Sequence, residues 1–328
     1  MNKTMKKTLS IIFIVTLIAV LSVSLLACKD KDQYTIKVAV PDGAPALAVA
    51  NMLKDGFSYE NYKVEFEIVA GAAEISAKLT AKQADIALIP TNIAAKLYTN
   101  NIDIKLVATN IYGLLYLVGT ESITDFADLK NQKIMCTGQG GTPDFLLKYF
   151  LQNAGVNLET EADIQYIAQG SDAIAALKAG TVKYALLGEP AATMAISKAN
   201  ASIIFDFQEE WNEAAGYEGY PQAGTVATSD IIANHSGFLK AFLKKMQSNV
   251  GYIGSADVAE INKALADNNS AVSFGSTAVI KRCNIKYVGG FDSKDSLTKY
   301  FEVMKASNAQ FIGGDIPADG FYANVALD

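Results

Sequence analysis

The stretch Ile36-Lys37-Val38-Ala39-Val40-Pro41-Asp42-Gly43-Ala44-Pro45 returns, 98 residues on, as Ile134-Met135-Cys136-Thr137-Gly138-Gln139-Gly140-Gly141-Thr142-Pro143. Each copy is a short apolar run of strand type followed by a loop of small residues that ends in proline. The same offset continues outward. Glu65–Val69 falls on Asp163–Ile167 with the same polar/apolar alternation, and Leu79 falls on Leu177. Ala81–Ile89 falls on Ala179–Leu187, and Ile104–Val107 falls on Ser202–Phe205. One offset without a gap across all these segments marks an internal duplication.

Each copy predicts strand, Gly-Pro loop, helix, strand, helix, strand, helix, strand. The first helices are expected at Ala46–Leu53 and Asp144–Leu151, each opened by a proline whose missing N–H is harmless at that position. The second are expected at Glu74–Lys82 and Asp172–Lys178, with Gly180 as a stop. Strands alternating with helices of this length predict parallel sheets with helices on both faces. Two such units make a bilobed protein, because a solenoid needs more copies. The fold class expected is therefore α/β, with two doubly wound lobes joined by two crossover strands. Ile111–Val118 looks like one continuous strand leaving the first copy, and Ala223–Thr228 leaves the second. Further helices are predicted at 237–246, 256–268 and 293–306. These joins place lobe one at 34–115 plus 225–328 and lobe two at 118–222.

The ends and the composition set the compartment. Lys3, Lys6 and Lys7 precede an almost wholly apolar Leu9–Leu26, which is the layout of an export signal. Leu25-Leu26-Ala27-Cys28 resembles the bacterial lipobox, which would make 1–27 a cleaved signal, Cys28 the lipid-bearing residue and 28–33 a tether. The competing reading is an uncleaved anchor, since about 18 apolar residues can just span a bilayer. Either reading puts the remainder outside the cytoplasm. The 28 basic and 34 acidic side chains give a net charge of −6, which argues against nucleic acid. Arg282 is the only arginine, so at most one bidentate clamp for a carboxylate or phosphate exists. It either holds a structural carboxylate or contacts ligand. Cys136 and Cys283 fall in different predicted lobes, where a bridge would lock two moving bodies, so two free buried thiols are expected. No metal-type spacing occurs, no cofactor motif is present, and the single histidine, His235, sits where a helix should start.

In open parallel sheets a ligand binds beyond the carboxyl ends of the strands. Those ends carry Asp42, Gly43 and Ala44, Gly71 and Ala72, and Thr91 and Asn92 in the first copy. The second copy offers Gln139, Gly140, Gly141 and Thr142, then Gln169 and Ser171, then Glu189. Each loop enters a helix N-terminus with unpaired N–H groups, and glycine lets a ligand approach closely. Singly, such loops are ordinary strand–helix turns; their matched positions make them candidate ligand-binding residues. Tyr112, Tyr217 and Gln222, near the crossovers, complete the set. With Asp42 and Glu189 near the mouth, a doubly charged anion is disfavoured against a neutral, zwitterionic or cationic ligand. Trp211 either stacks on a flat ligand or is buried in lobe two.

Pro41–Pro45, Gly71–Pro90, Gly-Gln-Gly-Gly-Thr-Pro at 138–143 and Gly-Glu-Pro-Ala-Ala-Thr at 188–193 resemble the substrate-binding proteins of ABC importers for sulfonates, nitrate and thiamine-pyrimidine precursors. The resemblance runs from about residue 34 to 325. It implies a type II periplasmic-binding-protein fold, two lobes closing on a small molecule, and a permease and an ATPase as partners of a monomer. The arginine-poor loops speak against a sulfonate-type anion, although backbone N–H groups could bind one. Pyrimidine-synthase-like and chorismate-processing enzymes resemble the same superfamily, so an enzyme is the second reading. A non-transport receptor or adhesin is the third.

Overall fold

The computed structural model describes residues 33–216 and 219–327. The expected signal at 1–27, Cys28, most of the tether and Tyr217 lie outside the described residues.

The first copy runs β1 (Tyr34–Pro41), α1 (Ala44–Leu47), α2 (Ala50–Asp55), the short β2 (Ser58–Tyr59), β3 (Tyr62–Val69), α3 (Ala72–Thr80), β4 (Ile86–Pro90), α4 (Thr91–Thr99) and β5 (Ile104–Tyr112). After the crossover strand β6 (Leu115–Gly119) the second copy runs β7 (Lys133–Thr137), α5 (Thr142–Asn153), β8 (Asp163–Ile167), α6 (Gly170–Ala179), β9 (Tyr184–Gly188), α7 (Ala191–Ala199) and β10 (Ser202–Asp206). The 98-residue offset holds at the start of element after element: Ala44 and Thr142, Ala72 and Gly170, Ile86 and Tyr184, Ile104 and Ser202. Then come α8 (Phe207–Ala215), β11 (Pro221–Thr228), α9 (Ser229–Asn234), α10 (Ser236–Ser255), α11 (Val258–Asp267), α12 (Thr277–Arg282), β12 (Ile285–Gly289) and α13 (Lys294–Asn308). Gly180 ends α6 in the left-handed conformation, as its place in the sequence predicts.

Two sheets form, in the orders β12-β5-β11-β4-β1-β3-β2 and β10-β6-β9-β7-β8. The purely parallel expectation holds only for three neighbouring strands of each, β3-β1-β4 and β8-β7-β9. Each crossover strand docks antiparallel beside the last parallel strand of the other copy: β6 on β9, and β11 on β4. The two sheets are therefore mixed, and each lobe contains a strand delivered by the other.

Two local expectations change. The expected helix at 46–53 is broken between α1 and α2. Asn249 enters the break, its amide donating to Leu47 O at 2.6 Å and accepting from Asn51 N at 2.9 Å, so the interrupted backbone groups remain paired. The expected continuous strand at 111–118 is broken by Gly113, whose φ of +63° sits in the left-handed region. There the Gln222 side chain accepts from Leu114 N, and Asn284 donates to Tyr112 O.

Candidate functional site

The carboxyl ends of β1, β3 and β4 face those of β7, β8 and β9 across a cleft of about 820 Å³. Its walls come from the loops after these six strands, from the crossovers at Leu114, Gln222 and Ala223, and from Val272. Of the residues expected at the site, Asp42, Gly43, Ala44, Gly71, Ala72, Gln139, Gly141, Thr142, Glu189 and Gln222 line it.

Six others are placed elsewhere. Thr91 is buried and donates its hydroxyl to Pro221 O at 2.6 Å. Asn92 is buried and donates to Phe311 O at 3.1 Å and Gly140 O at 3.3 Å. The Tyr112 hydroxyl pairs with Thr109 at 2.6 Å, and burial pushes its pKa above the ordinary value. Gly140 turns its N–H away to Asp144, and Gln169 and Ser171 are exposed at the start of α6 outside the lining. Small polar residues at strand ends had looked ligand-facing, but those at 91, 92 and 112 satisfy partners inside the fold instead.

The acids of the site are engaged. Asp42 accepts from Gly43 N at 2.8 Å, Ser270 Oγ at 2.5 Å and Ala271 N at 2.9 Å. Glu74 accepts from Ala70 N at 3.2 Å at the mouth of α3. Asp144, buried at the start of α5, takes Gly140 N at 2.8 Å, the Tyr166 hydroxyl at 2.6 Å and Lys148 at 2.8 Å. Burial, with this carboxylate beside it, pushes Tyr166 up to about 12. Glu189, its side chain fully buried, accepts from Arg282 Nε at 2.6 Å and from Thr193 Oγ at 2.8 Å and N at 3.2 Å. Arg282 also donates to the Thr193 hydroxyl at 2.5 Å. The one arginine thus holds a structural carboxylate, where a buried charge needs a paired partner.

What the sequence reading missed is the apolar wall: Ile89, Ile93, Ile111, Leu114, Ile167, Leu187 and Val272. Strand-end isoleucines and leucines carry no mark distinguishing cleft from core. Trp211 is fully buried against Phe145, Tyr220 and Tyr300. Cys136 and Cys283 are free and buried; burial raises Cys136 to about 12 and Cys283 further still, so both stay protonated. His235 bonds the Tyr62 hydroxyl at 2.9 Å and is not part of the lining. No group of three or more metal-ligating side chains occurs among the described residues. No helix among them is long and apolar enough to cross a membrane.

Two mixed α/β lobes around a common cleft define the architecture of periplasmic solute-binding proteins. The model of the NMT1-like family matches residues 37–266, and the chain belongs to that family. Solved structures agree in fold. An ABC transporter structure from Parabacteroides distasonis is 25% identical with a TM-score of 0.75, covering 89% of this chain and 99% of that one. The periplasmic aliphatic sulphonate binding protein of Escherichia coli is 15% identical with a TM-score of 0.63, over 83% of this chain and 86% of its own. The periplasmic nitrate-binding protein of Synechocystis PCC 6803 is 16% identical with a TM-score of 0.61, over 85% and 84%. No curated protein sequence matches the chain.

Proposed function

We propose that this chain is an extracytoplasmic solute-binding protein that captures a small molecule between its lobes and delivers it, as a monomer, to an ABC permease and its ATPase. The observation that carries the reading is the cleft itself, walled by the carboxyl ends of both duplicated strand sets. A ligand that touches both walls favours the closed arrangement by its contacts with the second lobe. The lobes we assign are 34–115 plus 225–328 and 118–222. Ligand contacts are assigned to the lining residues Asp42, Gly43, Ala44, Gly71, Ala72, Gln139, Gly141, Thr142, Glu189 and Gln222. We read its role as binding and not chemistry, which its likeness in fold to binding proteins of transport systems supports.

The test is a melting-temperature screen of the full chain against neutral, anionic, cationic and zwitterionic solutes, repeated with Ala73→Trp. Ala73 lines the cleft yet is exposed, so the indole fills the site without disturbing the core. A true ligand raises the melting temperature in proportion to its occupancy, and Ala73→Trp abolishes the shift. No shift with any class sinks the reading. We further propose that Cys28 carries lipid and holds the protein on the outer face of the membrane; Cys28→Ser should then release it into the medium. Retention of that variant on the membrane would favour an uncleaved anchor.

A further inference from the structure

We infer that the cleft takes an uncharged solute with an aliphatic body, and that the protein's own carboxylates exclude anions from the helix N-termini around it. This narrows the ligand of the solute-capture reading and rests on it.

Helix N-termini that converge on a cleft ordinarily attract an anion, because their unpaired N–H groups and dipoles carry partial positive charge. Here that attraction is already answered from within the chain. Glu74, in the first turn of α3, accepts from Ala70 N just before that helix, Asp144, in the first turn of α5, accepts from Gly140 N just before it, and Glu189, which precedes α7, accepts from Thr193 N within its first turn. Asp42 does the same for Gly43 N in the loop before α1. Helix α6 carries Asp172 in its first turn. Helix α4 lacks an acid, but its first residues, Thr91 and Asn92, are buried and outside the lining. A ligand anion at these N-termini would face the like charges of Asp42 and Glu74, both in the lining, at short range in a partly desolvated site.

Among the described lining residues there is no lysine or arginine, and Arg282 is committed to Glu189 and Thr193. A cation fares little better, since Asp42 and Glu189 each already accept three hydrogen bonds, leaving Glu74 at the rim. What remains is the wall of Ile89, Ile93, Ile111, Leu114, Leu187 and Val272. No aromatic ring is among the described lining residues, so a flat heterocycle finds no stacking partner and gains nothing over an aliphatic chain. Gln222, in the lining, supplies the polar contact: its carbonyl accepts from Leu114 N, which leaves its amide N–H₂ to donate to a ligand acceptor. The cleft volume lies in the range of sites that enclose small organic ligands.

A matched six-carbon series separates charge from shape: hexanamide, hexanol, hexanoate, hexanesulfonate and hexylamine, with uracil as the flat heterocycle. Melting temperature and calorimetry are read on the full chain. The inference expects the amide and the alcohol to bind, with the ionised members at least about tenfold weaker. It also expects Glu74→Gln to strengthen hexanesulfonate binding by about two- to fivefold, the size of one helix-terminal charge. Glu74 is exposed, so the change leaves the core intact. Tightest binding by hexanesulfonate, hexanoate or hexylamine overturns the inference and keeps the solute-capture reading. So does binding by uracil alone, or a hit only in the broad panel. An unchanged sulfonate response in Glu74→Gln overturns the exclusion by carboxylates. Silence in both panels removes the solute-capture reading, and the inference falls with it.

Discussion

Helices α5 and α8 cover one face of the five-stranded sheet with large aromatic side chains, whereas α6 and α7 cover the other with alanines. The alternation along the strands sends Leu115, Leu117, Tyr184 and Leu186 to the first face and Tyr116, Val118, Ala185 and Leu187 to the second. On the aromatic face, Phe145, Trp211 and Tyr220 pack onto Tyr300 of α13, with Trp211 and Tyr300 centroids 5.3 Å apart. That core is continuous with the core of the seven-stranded sheet. On the alanine face, Ala173, Ala192, Ala195 and Ala199 form a separate, smaller cluster with Ile174 and Leu177. A Cβ added at Gly170 would stand 2.8 Å from that of Ala191, which leaves no room for larger residues where the two helices start. One face of the second lobe is thus joined to its neighbour, and the other serves only its own lobe.

Opposite substitutions test that contrast. Trp211→Ala removes the largest fully buried side chain of the joint, and the expected loss is about 3–5 kcal/mol. It should be read as a lower denaturant midpoint for the whole chain. Ala195→Leu forces a larger group into the tight face, with an expected loss of about 1–3 kcal/mol. That loss should be confined to protection of amides in α6 and α7 by hydrogen exchange. If Ala195→Leu proves the more damaging, or spreads to the seven-stranded sheet, the two faces do not differ as argued.

The same asymmetry shows where the sequence could be read and where it could not. The duplication was legible because strand alternation, prolines and small-residue loops are local signals, and they recur at one offset. The exchange of β6 and β11 between sheets was not, because pairing partners far apart in sequence leave no local trace. Asn249 opens the α1–α2 break from 198 residues away, a contact no periodicity reveals. Gly113 was the one visible sign that the run at 111–118 turns. At the site, the loops expected at the strand ends line the cleft, while several of their polar side chains turn into the fold. Thr91, Asn92 and Tyr112 find distant partners in Pro221, Phe311 and nearby Thr109, while the isoleucines that wall the cleft look like any core residue. Whether Arg282 meets a ligand or a carboxylate depended on Glu189, which lies 93 residues earlier.

The aromatic face also contains a charge, and it yields the smallest expected effect. Asp206 caps α8 by accepting from Gln208 N at 2.8 Å. Its carboxyl pKa is raised, chiefly by burial, with the Gln208 hydrogen bond opposing the rise. A carboxyl whose folded-state pKa exceeds its unfolded value binds its proton more tightly when folded. Its ionisation therefore costs nothing below the unfolded carboxyl range, about pH 3, and weakens the fold as pH rises through the folded pKa. Asparagine keeps the cap, since its side-chain oxygen accepts the same N–H. Asp206→Asn should therefore match the wild type in acid and exceed it at neutral pH by less than about 1 kcal/mol, given the partial exposure. Denaturant midpoints at the two pH values check the sign. A variant that is less stable at neutral pH and equal in acid would mean that the ionised carboxylate supports α8 more than burial opposes it. The aromatic face would then tolerate charge in a way its close packing argues against.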